Sequence, residues 1–157
     1  MSTGQTWQTE STTLENSLSL AAEIGSRLRG GEVIELVGDL GSGKTSFVKG
    51  LANGIGSQDL VRSPSFTLSN QYTGKQLILN HFDFYRLDDP GIMRDELAEI
   101  LERPDAVIVI EWANIVEDVL PNNRLTVSLK PISENKRAIS FEYPESLNYL
   151  IDADTND

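Results

Sequence analysis

Apolar residues at three- and four-residue spacing mark the first regular element: Leu14, Leu18, Ala21, Ala22, Ile24 and Leu28 share one helical face, and Gly30-Gly31 ends the pattern. Residues 1–12, rich in Ser, Thr and Gln around Trp7, read as an arm or a lead-in strand. Val33 to Val37 is a short β-branched run that stops at a glycine-rich turn, and helical spacing resumes from Thr45 to Leu51, giving strand, loop, helix. Phe66 to Tyr72 and Leu77 to Phe84 predict two strands separated by a turn at Thr73-Gly74. Met93 to Leu101 predicts a helix opened by Asp89-Pro90-Gly91 and closed before Pro104. Ala106 to Ile110 is apolar at every position, as in a strand covered on both faces. Leu125 to Leu129 and Ala138 to Tyr143 predict the last strands, with a frayed tail from about residue 146 to 157.

Strands interleaved with helices predict an α/β fold with a mostly parallel central sheet flanked by helices and antiparallel strands at one edge, and the strand, glycine-rich loop and helix over 33–51 make it P-loop NTPase-like. With 157 residues and no dividing linker, a single domain over 1–157 is expected. The chain has no cysteine, which excludes disulfides, zinc-thiolate sites, iron-sulfur clusters and thiol nucleophiles. No apolar run reaches the roughly 18 residues of a membrane span, and the polar start lacks the regions of a signal peptide, so a cytoplasmic location is expected.

Charge narrows the partners. Against 13 Lys and Arg stand 24 Asp and Glu, a formal net charge of -11, and the stretch from Asp83 to Asp118 holds 11 acids and 3 bases. Nucleic-acid affinity rests largely on Lys and Arg neutralising phosphates, so direct binding of DNA or RNA is not expected. A polyanionic ligand would need a local device that overrides the global charge. The surplus acids form either a solvated face or a docking surface for a basic partner.

Gly38-Asp39-Leu40-Gly41-Ser42-Gly43-Lys44-Thr45 supplies that device, fitting G-x-x-x-x-G-K-[ST] in full where a strand ends and a helix begins. The glycines let backbone N–H groups turn around phosphate oxygens, and the following helix aims its positive end at the same anion. Lys44 is expected to reach the β- and γ-phosphates, and the Thr45 hydroxyl to ligate Mg²⁺. Such a site also needs an acid at the end of another apolar strand. Two are available: Glu111 directly after Ala106 to Ile110, read here as the acid for the metal, and Asp83 after Leu77 to Phe82, read as facing the γ-phosphate. Either could instead be paired with a base such as Arg86. Ser63-Pro64-Ser65-Phe66-Thr67 is a γ-phosphate-sensing switch or a plain turn into a strand. His81, the only histidine, reads as a strand residue rather than a general base, and Trp112 as core ahead of a ligand-adjacent platform.

Assembled in order, GDLGSGKTSF at 38–47, SPSFTL at 63–68, HFDFYRL at 81–87 and IEW at 110–112 resemble the TsaE (YjeE) family of small bacterial P-loop ATPases. The resemblance spans about residues 14 to 131. It implies ATP and Mg²⁺ as cofactors, Thr45 and Glu111 as metal ligands, Lys44 as the phosphate lysine, Asp83 as needed for hydrolysis and the segment with Ser65 as a switch loop. It extends nucleotide contact along the loop to Ser46, and it brings Thr12 and Lys130 near the adenine. The family usually carries Thr at the position of Ser65, and often near Ser17; both exchanges keep a hydroxyl. By the same resemblance, the chain would hydrolyse ATP weakly alone and reset a complex of the TsaB and TsaD proteins. That complex places threonylcarbamoyl on adenosine 37 of tRNA, so tRNA would be met only indirectly.

A small-molecule kinase is the main rival, because it would use the same loop. It would also need an acceptor pocket and usually an arginine-bearing lid, for which the acidic span 83–118 is poorly suited. A GTPase is disfavoured: Asp88-Asp89-Pro90-Gly91 fits D-x-x-G, but Asn135-Lys136 is followed by Arg137-Ala138 and makes no guanine-reading motif. A nucleotide-sensing binding protein would differ mainly in turnover.

Overall fold

The structure is a computed structural model that describes residues 4–11, 13–39, 42–62, 69–85, 89 and 91–151. Its strands are β1 (Gln5–Ser11), β2 (Val33–Val37), β3 (Ser69–Thr73), β4 (Ile78–Asp83), β5 (Ala106–Glu111), β6 (Leu125–Pro131) and β7 (Arg137–Tyr143). Three helices accompany them, α1 (Leu14–Arg27), α2 (Lys44–Gly54) and α3 (Gly91–Ile100). Among the described residues the strands form one sheet in the order β1-β7-β6-β2-β5-β4-β3. Its centre, β6-β2-β5-β4, is parallel, and β1 and β7 make the antiparallel edge. A further antiparallel strand, β3, closes the opposite side against β4.

Period-two alternation along the central strands feeds two cores. On β5, Val107 and Val109 join Ile24, Phe47 and Leu51 beneath α1 and α2, while Ala106, Ile108 and Ile110 join Leu97 and Ile100 of α3 on the other face. The unbroken apolar run 106–110 is therefore the signature of a strand between two helical layers. Glu111 follows in the parity of Val107 and Val109, which turns it toward the α1/α2 face.

Helix α1 begins where the Thr13 hydroxyl accepts a hydrogen bond from the Asn16 N–H at 3.1 Å. It packs against α2 almost backbone to backbone. A Cβ on Gly25 would stand 2.5 Å from the Leu51 carbonyl oxygen, and one on Gly54 would stand 2.3 Å from that of Ala22. The missing side chains permit this approach, and it fixes the start of α2 over the sheet.

Several expectations are refined here. Residues 5–11 are a lead-in strand rather than a loose arm, held by Trp7 stacked on Phe141 at 5.2 Å. The helix expected from Met93 begins two residues earlier, at Gly91. Of the strand expected over 66–72, residues 66–68 lie outside the described residues, and pairing runs from Ser69 to Thr73.

The segment from Glu145 to Leu150, most of it within the expected tail, forms a 3-10 turn that buries Leu147 and Leu150. Its ties are polar and long-range, which is why no apolar period announced it. The Leu150 carbonyl accepts from Arg27 at 2.9 Å, and the Tyr149 hydroxyl donates to buried Glu32 at 2.5 Å. Burial and the Glu32 carboxylate push the Tyr149 phenol well above its ordinary value. A second unpredicted 3-10 turn, Ala113–Val116, follows β5 and packs Ala113 and Val116 on the α3 side. No described helix is long and apolar enough to cross a membrane.

Candidate functional site

The phosphate-loop motif occupies the connection from β2 to α2, with Leu40 and Gly41 outside the described residues. Gly38 must be glycine: a Cβ there would meet Ser42 Oγ at 2.5 Å and the Leu129 carbonyl oxygen at 2.8 Å. Gly43 adopts φ 101° and caps α2 without any side-chain hydrogen bond. With no acidic residue in its first turn and no side-chain cap bond, α2 opens on a positive helix end whose first N–H groups have no helical carbonyl to bond, an arrangement suited to a phosphate. Ser42 Oγ is buried and without a partner among the described residues, an acceptor and donor facing that loop. Thr45 is exposed on the first turn and Ser46 is half-buried beside it.

Strand parity brings the acids to the same end. Asp83 and Glu111 are register partners at the C-terminal ends of parallel β4 and β5, so both side chains share the α2 face, and His81 lies two residues before Asp83 on that face. Lys44, buried at the start of α2, reaches across: its Nζ donates to the Gly38 carbonyl at 2.5 Å and stands 3.4 Å from Glu111 Oε1. The other Glu111 oxygen, Oε2, is 2.5 Å from His81 Nε2. Trp112 adopts φ 58°, which aims the chain away from β5 and lays its ring 5.2 Å from Lys44 Nζ and 4.9 Å from the Tyr85 ring. A bulky residue in the left-handed region is a strained conformation of the kind that clusters at functional sites. It leaves Trp112 partly exposed, where the sequence had suggested core.

The two carboxyls have opposite proton affinities. Burial raises the Asp83 pKa, and the neighbouring Glu111 charge raises it further, against smaller opposing contributions from the Tyr85 N–H, His81 and Lys44. Burial also works to raise Glu111, but the hydrogen bond and charge of His81, then Lys44, outweigh it and hold the carboxyl below its ordinary value. An ionised Glu111 beside an Asp83 that resists ionisation is electrostatically a request for positive charge.

The residues fit a magnesium ion on that ground. Among the described residues no group of three or more His, Asp or Glu could cage a metal alone. Magnesium is commonly held by one or two carboxylates with substrate phosphates and water, so Glu111 and a hydroxyl such as that of Thr45 form a suitable donor set.

A cleft of about 470 Å³ opens beside this cluster, lined among others by Gly38, Asp39, Lys44, Trp112 and Lys130. Its volume lies in the range of small-ligand sites. Lys130 thus joins the phosphate loop across the sheet, since β6 runs beside β2. Glu35 also lines the cleft, and Arg124 neutralises it with a contact of 3.0 Å while also bonding Glu117. Sequence reasoning missed Asn114, Ser128 and the Glu35–Arg124 pair, which only the strand order brings to the cleft. It also missed the bond between His81 and Glu111; the His-x-Asp spacing was a signal of a shared face, but the register with β5 was not readable. Thr12, Ser65 and Arg86 lie outside the described residues.

Comparison with known proteins gives consistent results. The family model described as threonylcarbamoyl adenosine biosynthesis protein TsaE matches residues 11–139. The tRNA threonylcarbamoyladenosine biosynthesis protein TsaE of Bacillus subtilis is 35% identical over 127 residues, covering 81% of this chain and 79% of that one. Its counterpart in Treponema pallidum is 41% identical over 117 residues, 74% of this chain and 86% of the relative. The crystal structure of Bacillus subtilis YdiB superposes with a TM-score of 0.78 at 32% identity, covering 99% of both chains.

Proposed function

The chain belongs to the TsaE family of threonylcarbamoyl adenosine biosynthesis proteins, and from that premise we propose that it is a Mg²⁺-dependent ATPase that binds and resets a TsaB–TsaD complex during tRNA modification. Nucleotide binding and a part in tRNA processing go with the family. The observation that carries the finer reading is the convergence of Lys44, Glu111 and Asp83 where α2 begins.

In this reading the N–H groups at the start of α2 and the Lys44 ammonium hold the phosphates. Lys44 exchanges its contacts with Gly38 and Glu111 for phosphate oxygens, a move of one flexible side chain. Glu111 and the Thr45 hydroxyl would hold Mg²⁺, which would supply positive charge to neutralise the phosphates. Asp83 is assigned to the attacking water, its raised proton affinity suiting it to accept a hydrogen bond there. Asp39, Ser42 and Ser46 complete the phosphate side. Lys130 is assigned to the base side together with Thr12, and Ser65 to a segment that responds to the γ-phosphate. The excess acids keep the chain from gripping tRNA itself, so the tRNA is held by the partner complex in the cytoplasm.

Measuring ATP hydrolysis with and without TsaB and TsaD tests the reading: slow turnover alone, stimulated by the partners, is expected. Phosphoryl transfer to a small acceptor, or no response to the partners, would overturn it in favour of a kinase.

A further inference from the structure

His81 is fully buried, and among the described residues its polar contact is the 2.5 Å approach of Nε2 to Glu111 Oε2. An ionised carboxylate only accepts, so Nε2 carries the shared proton, while Nδ1 has no hydrogen-bond partner among the described residues. A core position between Leu79 and Asp83 would be filled for packing by an aliphatic side chain, without an unpartnered ring nitrogen in an apolar layer. The imidazole is thus retained for what Nε2 does. Holding Oε2 leaves Oε1 as the oxygen turned toward Lys44, which itself lines the cleft. The donor comes from β4 and the acceptor from β5, so parallel pairing of two central strands sets the carboxylate's rotation.

We propose that His81 is a positioning residue that pins one oxygen of Glu111, so that Glu111 offers a single, fixed oxygen to the divalent cation accompanying the nucleotide. This rests on the Mg²⁺-nucleotide reading given above and assigns to that site a residue that touches neither metal nor phosphate. Hydrogen-bond partners of metal-ligating groups fix ligand orientation, and their removal typically lowers metal affinity about 10–100-fold.

Calorimetric binding of a non-hydrolysable ATP analogue, measured in EDTA and again in Mg²⁺, reads the role without turnover. In His81→Leu, and in His81→Asn, whose amide falls short of Glu111, the gain in affinity on adding Mg²⁺ should shrink about tenfold. Affinity in EDTA should stay close to the parent's. His81→Gln, whose amide can donate from near the Nε2 position, should restore most of the gain. In a Glu111→Ala background, His81→Leu should change nothing further, because its only route to the cation is gone.

An unchanged gain in both Leu and Asn variants overturns the proposal. So does an equal loss in EDTA, a Gln variant no better than Leu, or loss of the fold in all three variants by thermal melting. A parent protein that gains nothing from Mg²⁺ would overturn the metal-nucleotide reading itself, a result distinct from variants that match a responsive parent.

Discussion

Lys44 Nζ stands 3.4 Å from Glu111 Oε1, a contact between the first residue of a helix and the last residue of a strand. Both side chains are buried, and in the proposed function the ammonium would stand where a cation is wanted and leave for phosphate. Lys44→Ala should weaken ATP binding about 10- to 100-fold, the worth of a charge-assisted hydrogen bond. Calorimetry checks this, and an unchanged dissociation constant would remove the phosphate-loop assignment.

Glu111→Gln keeps the shape and one acceptor oxygen for His81 while removing the charge. Mg²⁺-dependent hydrolysis should fall by at least about tenfold with the fold preserved. Steady-state turnover against Mg²⁺ concentration, with circular dichroism of the same sample, separates a functional acid from a structural one.

Asp83 carries a pH signature. Its pKa is raised above 3.8 by burial and then by Glu111, so the folded chain binds this proton more tightly than the unfolded chain does. Its contribution to stability is therefore largest at low pH and declines as pH rises above 3.8 through the elevated native pKa. Asp83→Asn removes the repulsion and keeps an acceptor for the Tyr85 N–H, which now bonds Asp83 Oδ1 at 3.0 Å. The variant should melt above the parent at pH 7, with the difference shrinking as pH approaches 4, and should lose hydrolysis. Melting curves across that range check the sign; a parent that outlasts the variant at neutral pH contradicts it.

Glu111 has the reverse sign. Its lowered native pKa contributes stability that is present above its unfolded value near 4.5 and lost as pH falls through the native one. Acid unfolding of Glu111→Gln should therefore show a shallower dependence on pH below about 4.5 than the parent's, read as the slope of denaturation midpoint against pH.

The close crossing of α1 and α2 gives a prediction away from the chemistry. Gly25→Ala would push a methyl group to within 2.5 Å of the Leu51 carbonyl oxygen, and the backbone must shift to admit it. A destabilisation of about 1–3 kcal/mol is expected, lowering the melting temperature by several degrees. Because α2 carries Lys44 on its first turn, nucleotide affinity should fall as well; Gly31→Ala, with nothing within 4 Å of its added Cβ but a φ of 88°, serves as a comparison away from that crossing.

Local patterns sufficed for much of this protein. Val33–Val37 ends where its β-branched run ends, and α1 and β5 lie where their periods put them, because each buries a face set by its own spacing. The phosphate loop was readable for the same reason: its glycines, lysine and hydroxyl act through adjacent backbone, so sequence neighbours are also spatial neighbours. Strand order and register were not readable, since they arise from pairings between residues far apart in the chain. Glu111 and Asp83 could each be nominated as strand-end acids, but only the pairing of β4 with β5 made them partners and gave Glu111 its bond to His81. The 3-10 turn at 145–150 escaped for a related reason, as it is anchored by Arg27 and Glu32 more than a hundred residues earlier. The sequence by itself nominated the phosphate loop and its strand-end acids; tertiary structure decided which Glu111 oxygen turns toward Lys44, because that orientation is set by a neighbouring strand.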